Sequence, residues 1–228
     1  MDTTAMKQID FWFDPISPYA WLAFERLPQL LEGVSYSVAY RPLLLAGLLG
    51  HWGQKGPAEI EPKRAWTFRQ VEWLAQRHAI VLQTPAQHPF NPLALLRLLV
   101  ASAPAGGTPG RFAVETVLRH VWCGAHADAN EPDRLAALGA TLAPARDPAA
   151  AEVKTELRAA TDAAIAQGVF GVPTLVCDGR AYWGLEGLEM LAAALHGDAW
   201  FDGRQWDAAG APRPGVQRRP GAARSSGG

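Results

Sequence analysis

The first forty residues alternate between short β-forming runs and one amphipathic stretch. Residues 8–14 are rich in aromatic and β-forming side chains, which is typical of a strand. Ser17 and Pro18 then supply the favoured cap and first residue of a helix, which we expect over residues 19–31. Residues 34–40 alternate again and predict a second strand. The order strand, helix, strand predicts a right-handed βαβ unit with parallel strands.

The pattern changes between residues 60 and 165, where apolar residues recur at helical spacing and no strand pattern competes. Five helices are expected, over residues 62–79 and 93–101, around 114–121, and after the caps Asn130 and Asp147. The residues before this block, 43–57, are leucine-rich and then rich in glycine. We interpret them as a segment that turns into a loop.

Strand character returns at residues 172–177. Asp178 and Gly179 then form a two-residue hairpin turn, and residues 180–183 form the returning strand. A last helix is expected over residues 185–195. The end of the chain therefore has the order ββα.

The complete order, βαβ then helices then ββα, predicts an α/β fold of thioredoxin-like type interrupted by an all-helical insertion domain. The thioredoxin-like domain is expected to be discontinuous, from residues 1–45 and 166–202, with the insertion over residues 46–165. The tail, residues 203–228, lacks periodicity and is rich in Gly, Pro, Ala, Ser and Arg. We expect this tail to be disordered.

Composition narrows the classes of function. The chain has 21 basic and 22 acidic residues, a net charge of −1, which argues against a broad nucleic-acid-binding surface. No apolar run approaches the ~20 residues of a membrane-spanning helix, and residues 1–10 lack the features of a secretory signal. We expect a cytoplasmic protein with no membrane or nucleic-acid partner, and the 49% hydrophobic content predicts a substantial core.

Ser17 and Pro173 are the first candidates for chemistry. In the thioredoxin-type plan, the active residue lies at the N-terminus of the first helix and faces a proline that opens the third strand. A helix N-terminus carries about half a positive charge and stabilises an anion. Cys123 and Cys177 lie elsewhere in the sequence, so thiol–disulfide exchange by the chain's own residues at Ser17 is excluded and a ligand would bring the sulfur.

Each of these residues also has a purely structural interpretation. In this interpretation Ser17 serves only as a helix cap, which stabilises the fold by about 1 kcal/mol. Pro173 is either a trans proline at the first position of a strand or part of a cis Val172-Pro173 peptide, which would leave the Val172 backbone free to pair with an extended ligand.

Several motifs together resemble the 2-hydroxychromene-2-carboxylate isomerases, close kin of the kappa-class glutathione transferases within the DsbA-like group. The terminal motifs are Phe13-Asp14-Pro15-Ile16-Ser17-Pro18-Tyr19-Ala20-Trp21, Gly168-Val169-Phe170-Gly171-Val172-Pro173-Thr174 and Tyr182-Trp183-Gly184. The middle of the chain adds Pro62-Lys63 and Pro89-Phe90-Asn91-Pro92. The resemblance covers roughly residues 8–200.

This resemblance implies a glutathione site. Ser17 would contact the glutathione sulfur, the Val172 backbone its cysteinyl unit, and Lys63 its carboxylate end. The remaining implied contacts come from Gln54, where relatives often carry asparagine, and from Leu185 and Glu186. Relatives commonly have Asp-Arg at the last positions, so Glu186 keeps a carboxylate for the γ-glutamyl ammonium whereas Gly187 removes an arginine. Each also has a structural interpretation: Lys63 as a solvated residue that opens a helix, Gln54 as an exposed loop residue, and Glu186 as a first-turn acid that complements the helix dipole.

The resemblance also implies the reaction. We expect a glutathione-dependent cis–trans isomerase that interconverts 2-hydroxychromene-2-carboxylate and trans-o-hydroxybenzylidenepyruvate, with glutathione as a regenerated nucleophile. Trp52, Phe90 and Asn91 are the candidate pocket for this small aromatic acid, and the alternative for the aromatic residues is a place in the core or in a dimer interface. A homodimer is expected. The alternatives are a kappa-class-like glutathione transferase or peroxidase and a non-catalytic thioredoxin-fold binding protein.

Overall fold

A four-stranded mixed sheet forms the centre of the protein, seen in a computed structural model that describes residues 6–213 and 215. Its strands are β1 (Lys7–Phe13), β2 (Tyr36–Pro42), β3 (Thr174–Cys177) and β4 (Arg180–Trp183), in the spatial order β2-β1-β3-β4. β1 is parallel to β2 and antiparallel to β3, which is antiparallel to β4. This is the predicted βαβ and ββα arrangement.

Helices occupy most of the remaining described residues. They are α1 (Pro18–Leu30), α2 (Leu45–Trp52), α3 (Glu61–Arg77), α4 (Leu93–Ala101), α5 (Arg111–Trp122), α6 (Pro132–Leu142), α7 (Ala151–Ala166), α8 (Gly184–Leu195) and α9 (Gln205–Gly210). A single 3-10 turn, Pro57–Glu59, precedes α3. No helix in the described part of the chain has the length and apolar character needed to cross a membrane.

The central strand β1 is buried on both faces. Because side chains alternate along a strand, Phe11 and Phe13 share one face with α1 and α8, whereas Trp12 packs on the other face against α2 and α7. The first of these two cores continues without interruption into α3, α4 and α5. The division into a thioredoxin-like domain and an insertion at residues 46–165 remains a prediction.

Three local predictions need correction. Residues 45–52, expected to belong to a segment that turns into a loop, form α2, because Leu48 is fully buried against Trp12. The cap of α6 is Glu131 rather than Asn130, whose side chain bonds to the Asn91 carbonyl instead. α7 begins at Ala151 without a side-chain cap from Asp147.

The tail also differs from the expectation of disorder. Residues 205–210 form α9, and Trp206 of this helix lies 5.4 Å from the Tyr182 ring and 5.7 Å from the Phe201 ring, measured between centroids. The Arg180 guanidinium lies over the same indole. Aromatic contacts to the sheet therefore hold this helix in place. The rest of that prediction, for residue 214 and residues 216–228, lies outside the described residues, as do residues 1–5.

Candidate functional site

Ser17 caps α1 as predicted. Its backbone is extended (φ −89°, ψ 116°), and its Oγ accepts a hydrogen bond from the Ala20 N–H at 3.3 Å. Pro18 occupies the first helical position, where a missing N–H costs nothing. The hydroxyl thus lies among the unpaired N–H groups of the helix start, and Ser17 is 6% exposed. The position suits a sheltered anion.

The structure brings Ser17 together with Val172. The Ser17 hydroxyl lies 3.5 Å from the Val172 carbonyl oxygen, at the long limit of a hydrogen bond. The Val172-Pro173 peptide is cis, which confirms the second of the two interpretations of Pro173. Within the described residues the Val172 N–H donates no hydrogen bond. A backbone donor is therefore free beside the Ser17 hydroxyl.

Asp14 is the residue near Ser17 to which the sequence analysis gave no role. Its carboxylate is fully buried and accepts hydrogen bonds from the Ile16 N–H at 3.0 Å and the Leu45 N–H at 2.9 Å. Burial raises the pKa of Asp14 to about 7, although both N–H bonds favour the charged form. Asp14 therefore ties the loop that carries Ser17 to the start of α2.

Tyr19 and Glu186 lie on the side of the site formed by α3 and α8. The Tyr19 hydroxyl donates to the Gln70 side chain at 2.7 Å. Burial raises the pKa of Tyr19, and the negative charge of Glu186 raises it further. The predicted residue Glu186 is in the first turn of α8, whereas the Leu185 side chain is buried in the core and offers only its backbone.

Close packing explains why position 187 holds a glycine. A Cβ at this position would lie 2.6 Å from the carbonyl carbon of Tyr182, because α8 approaches β4 closely here. Any side chain at this position, including an arginine, would require the helix to move. The glycine noted at position 187 in the sequence therefore fits the close packing of α8 on β4.

Three exposed candidates lie near one another in sequence: Trp52 at the end of α2, Gln54 in the loop after it, and Lys63 at the start of α3. Lys63 is in the first turn of α3 and forms no ion pair within the described residues. Gln54 follows Gly53, whose positive φ of 63° ends α2. Trp52 is 42% exposed and its indole N–H donates to the Val169 carbonyl at 2.9 Å, three residues before Val172. Among the described residues, no hydrogen bond joins this group to Ser17.

Phe90 and Asn91 both make structural contacts, and their place in a substrate pocket with Trp52 stays a prediction. Phe90 is 8% exposed and packs in the core beside the His88 ring. Asn91 accepts the Leu93 N–H at the start of α4 and, through its carbonyl, a hydrogen bond from Asn130. Phe90 therefore belongs to the core, which is one of the two interpretations that the sequence allowed, and Asn91 is an exposed loop residue with structural hydrogen bonds.

Two further observations bear on ligands. No group of three His, Cys, Asp or Glu residues in the described ranges could hold a metal ion. A cavity of about 610 Å³ lies at the opposite end of the sheet, beside Lys7 and Asp178, and contains none of the predicted site residues.

Comparisons with known proteins agree with the motifs. A model of the DSBA-like thioredoxin domain matches residues 8–196. Glutathione S-transferase kappa 1 of Rattus norvegicus is 28% identical over 220 residues, covering 86% of this chain and 94% of the relative. A 2-hydroxychromene-2-carboxylate isomerase of Pseudomonas putida is 30% identical over 200 residues, covering 82% and 93%.

A solved structure of 2-hydroxychromene-2-carboxylate isomerase is also similar. It aligns with a TM-score of 0.72 and 24% identity, over 86% of this chain and 97% of that chain. The thioredoxin-like fold predicted from the sequence is thereby confirmed.

Proposed function

We propose, from the premise that the chain belongs to the family of DSBA-like thioredoxin domains, that it is a glutathione-dependent cis–trans isomerase of an unsaturated aromatic acid. The homologues of this chain are isomerases and glutathione transferases. The reaction that we propose interconverts 2-hydroxychromene-2-carboxylate and trans-o-hydroxybenzylidenepyruvate.

The observation that carries this proposal is the Ser17 hydroxyl at the start of α1. It lies where redox proteins of this fold carry a cysteine, so the chain itself offers no thiol there. An anion at a helix N-terminus gains about 0.3–1 kcal/mol, and up to ~2 kcal/mol when partly buried. At 1.36 kcal/mol per pKa unit, this would lower the pKa of a bound thiol by up to about 1.5 units.

The residues around Ser17 fit glutathione chemically. The unpaired Val172 N–H and the Val172 carbonyl match the backbone of a cysteinyl unit. Lys63 would hold the terminal carboxylate, with Gln54 nearby in sequence, and Glu186 would hold the γ-glutamyl ammonium. Glutathione, when bound, supplies a thiolate that adds reversibly to a conjugated double bond and so permits rotation about it.

In this proposal the residues of the chain bind and orient glutathione. Ser17 donates its hydroxyl hydrogen to the sulfur in place of the Val172 carbonyl, and the α1 N-terminus stabilises the negative charge. Asp14 holds the Ser17 loop against α2. A kappa-class-like transferase would use the same residues, as the similarity to glutathione S-transferase kappa 1 suggests, but would consume glutathione.

The decisive experiment is calorimetric titration of glutathione into the wild-type protein, Ser17→Ala and the control Ser37→Ala, with thiolate absorbance followed against pH. We expect a lowered thiol pKa in the wild type and the control and loss of that lowering in Ser17→Ala. No binding to the wild type at millimolar glutathione would refute the proposal. Interconversion of the two acids with full recovery of glutathione would distinguish the isomerase from the transferase.

We further propose a cytoplasmic homodimer. Trp66 and Trp73 lie seven residues apart on α3 and are 64% and 54% exposed, so one face of this helix presents two large apolar side chains. The leucines at positions 43 and 48 are buried within the chain and are not available for an interface. Light scattering of the wild type and Trp73→Ser tests the dimer, which the substitution should weaken.

A further inference from the structure

Residues 14–17 form the short loop that joins β1 to α1 and ends in Ser17. Inside this loop the Ser17 N–H donates to the Asp14 carbonyl at 3.0 Å, and the Ile16 N–H donates to the Asp14 carboxylate at the same distance. The loop supplies no donor for the carbonyl oxygens of Pro15 and Ile16. The partners of these two carbonyls are side chains that are distant in the sequence.

Trp122 bonds to the first of the two carbonyls. This residue ends α5 and is fully buried, and its indole N–H donates to the Pro15 oxygen at 3.0 Å. Because buried polar groups are normally paired, this one bond satisfies both the indole and the carbonyl. The Pro15 carbonyl is therefore directed into the core.

His88 bonds to the second carbonyl, from the segment between α3 and α4. Its Nε2 lies 2.9 Å from the Ile16 oxygen, which only accepts, so Nε2 carries the hydrogen. Burial lowers the pKa of His88, which keeps the ring neutral at neutral pH. The Ile16 carbonyl thus receives a hydrogen bond from an uncharged donor.

Three aromatic rings surround the His88 ring and restrict its orientation. Its centroid lies 5.0 Å from that of Phe68, 6.1 Å from that of Phe90 and 5.9 Å from that of Trp122. The contacts with the two phenylalanines are edge to face, an arrangement that aromatic pairs prefer. His88 and Trp122 therefore form one packed unit, which bonds to two successive carbonyls of the loop.

These two hydrogen bonds bear on the electrostatics at the start of α1. A carbonyl oxygen is partly negative and opposes an anion, whereas the N-terminus of a helix favours one. Because donors engage both carbonyls, the N–H groups at the start of α1 keep their effect on an anion beside Ser17. The same bonds fix the backbone that carries the Ser17 hydroxyl.

We propose that His88 and Trp122 are positioning residues of the Ser17 site. Within the described residues neither forms a hydrogen bond with Ser17; both act through the carbonyls of Pro15 and Ile16 and so place the Ser17 hydroxyl and the α1 N-terminus against the sulfur. The inference rests on the proposed function in one respect, that the anion there is the glutathione thiolate.

The first test compares His88→Gln with His88→Met in the thiol titration of bound glutathione. The two side chains have the same length, only glutamine can donate to the Ile16 carbonyl, and neither substitution removes a charge because the histidine ring is neutral. We expect His88→Met to raise the pKa of the bound thiol by about 0.5 unit or more, as a partial loss of the helix contribution, and His88→Gln to keep it near the wild-type value. The same thiol pKa in both variants would overturn the proposal.

The second test removes the indole donor. Trp122→Phe loses the bond to Pro15 and keeps an aromatic ring in the core, and we expect a similar rise of the thiol pKa. The matched control is Trp21→Phe, because Trp21 is also fully buried and donates to the Val81 carbonyl at 2.8 Å. A loss of packing alone would lower the Tm of both variants without moving the thiol pKa. Equal thiol pKa values in the two tryptophan variants would contradict the role of Trp122.

Crystal structures of the ligand-free His88 variants separate this inference from the proposed function. We expect Ser17 Oγ to keep its wild-type position in His88→Gln and to be displaced in His88→Met. If the wild type binds no glutathione, the proposed function fails, and these structures still decide whether His88 positions Ser17. If the wild type lowers the thiol pKa and both His88 variants do so equally, the thiolate site stands and this inference fails.

Discussion

Replacing Asp14 by asparagine should change how the stability of the protein depends on pH. The Asp14 carboxyl is fully buried and no ion pair compensates its charge among the described residues; two backbone N–H groups are its partners. The Asp14→Asn side chain is close in shape to the wild-type one but carries no titratable group. The substitution therefore isolates the free energy of ionising a buried acid.

The magnitude follows from the pKa of Asp14, which rises from 3.8 to about 7 on folding. A raised pKa means that stability is fully present below pH 3.8 and is lost as the pH rises to about 7. At 1.36 kcal/mol per pKa unit, the total loss is about 4 kcal/mol, of which roughly 3 kcal/mol falls between pH 5 and pH 8. Against this, asparagine can accept only one of the two N–H bonds, which costs about 1–3 kcal/mol at every pH.

The assay is urea unfolding of the wild type and Asp14→Asn from pH 4 to pH 8. We expect the variant to be the less stable protein at pH 4 and to gain roughly 3 kcal/mol on the wild type between pH 5 and pH 8. Asp162→Asn, at an exposed position on α7, is the control and should show a nearly constant difference. A constant difference for Asp14→Asn as well would refute the reasoning.

Three further predictions concern packing. Thr161→Val should lower the free energy of unfolding by about 1–3 kcal/mol, since the Thr161 hydroxyl accepts the Leu44 N–H at 3.1 Å, whereas exposed Thr155→Val should have little effect in the same urea assay. Gly187→Ala should cost about 1–3 kcal/mol because its Cβ would meet the Tyr182 backbone, and Gly50→Ala, with open space around it, should be neutral or stabilising; equal losses would contradict this. Trp206→Ala should release α9 from Tyr182 and speed limited proteolysis near residue 205, and an unchanged cleavage rate would show that the aromatic contacts do not hold the helix.

The sequence predicts the elements whose signals are local. Ser17 and Pro18 mark the start of α1 within one residue, because the cap and the proline act on the adjacent backbone. Asp178 and Gly179 mark the turn between β3 and β4, and both have the positive φ, 50° and 75°, that such a turn requires. These residues determine their own conformation, so a pattern along the chain is enough to find them.

Tertiary packing explains what the sequence could not predict. The glycines of α2 lower its helix propensity, yet burial of Leu48 on Trp12 stabilises the helix. Phe90 looks like a pocket residue in its motif but fills the core beside His88. For α2 the decisive neighbour, Trp12, is distant in the sequence, so no local signal reveals it.

The sequence also does not reveal the tertiary contacts of the polar residues near Ser17. A motif identifies Asp14 as part of the segment around Ser17, but only the fold shows that this acid is buried and bonded to the start of α2. His88 likewise gains its neutral ring and its free Nδ1 from burial and from the Ile16 carbonyl. Both side chains bond to the backbone of Ile16: the Asp14 carboxylate accepts the Ile16 N–H, and the His88 ring bonds to the Ile16 carbonyl oxygen. A substitution of either residue should therefore shift Ser17 indirectly, through Ile16. The types of these residues alone do not reveal this connection, which depends on the folded geometry.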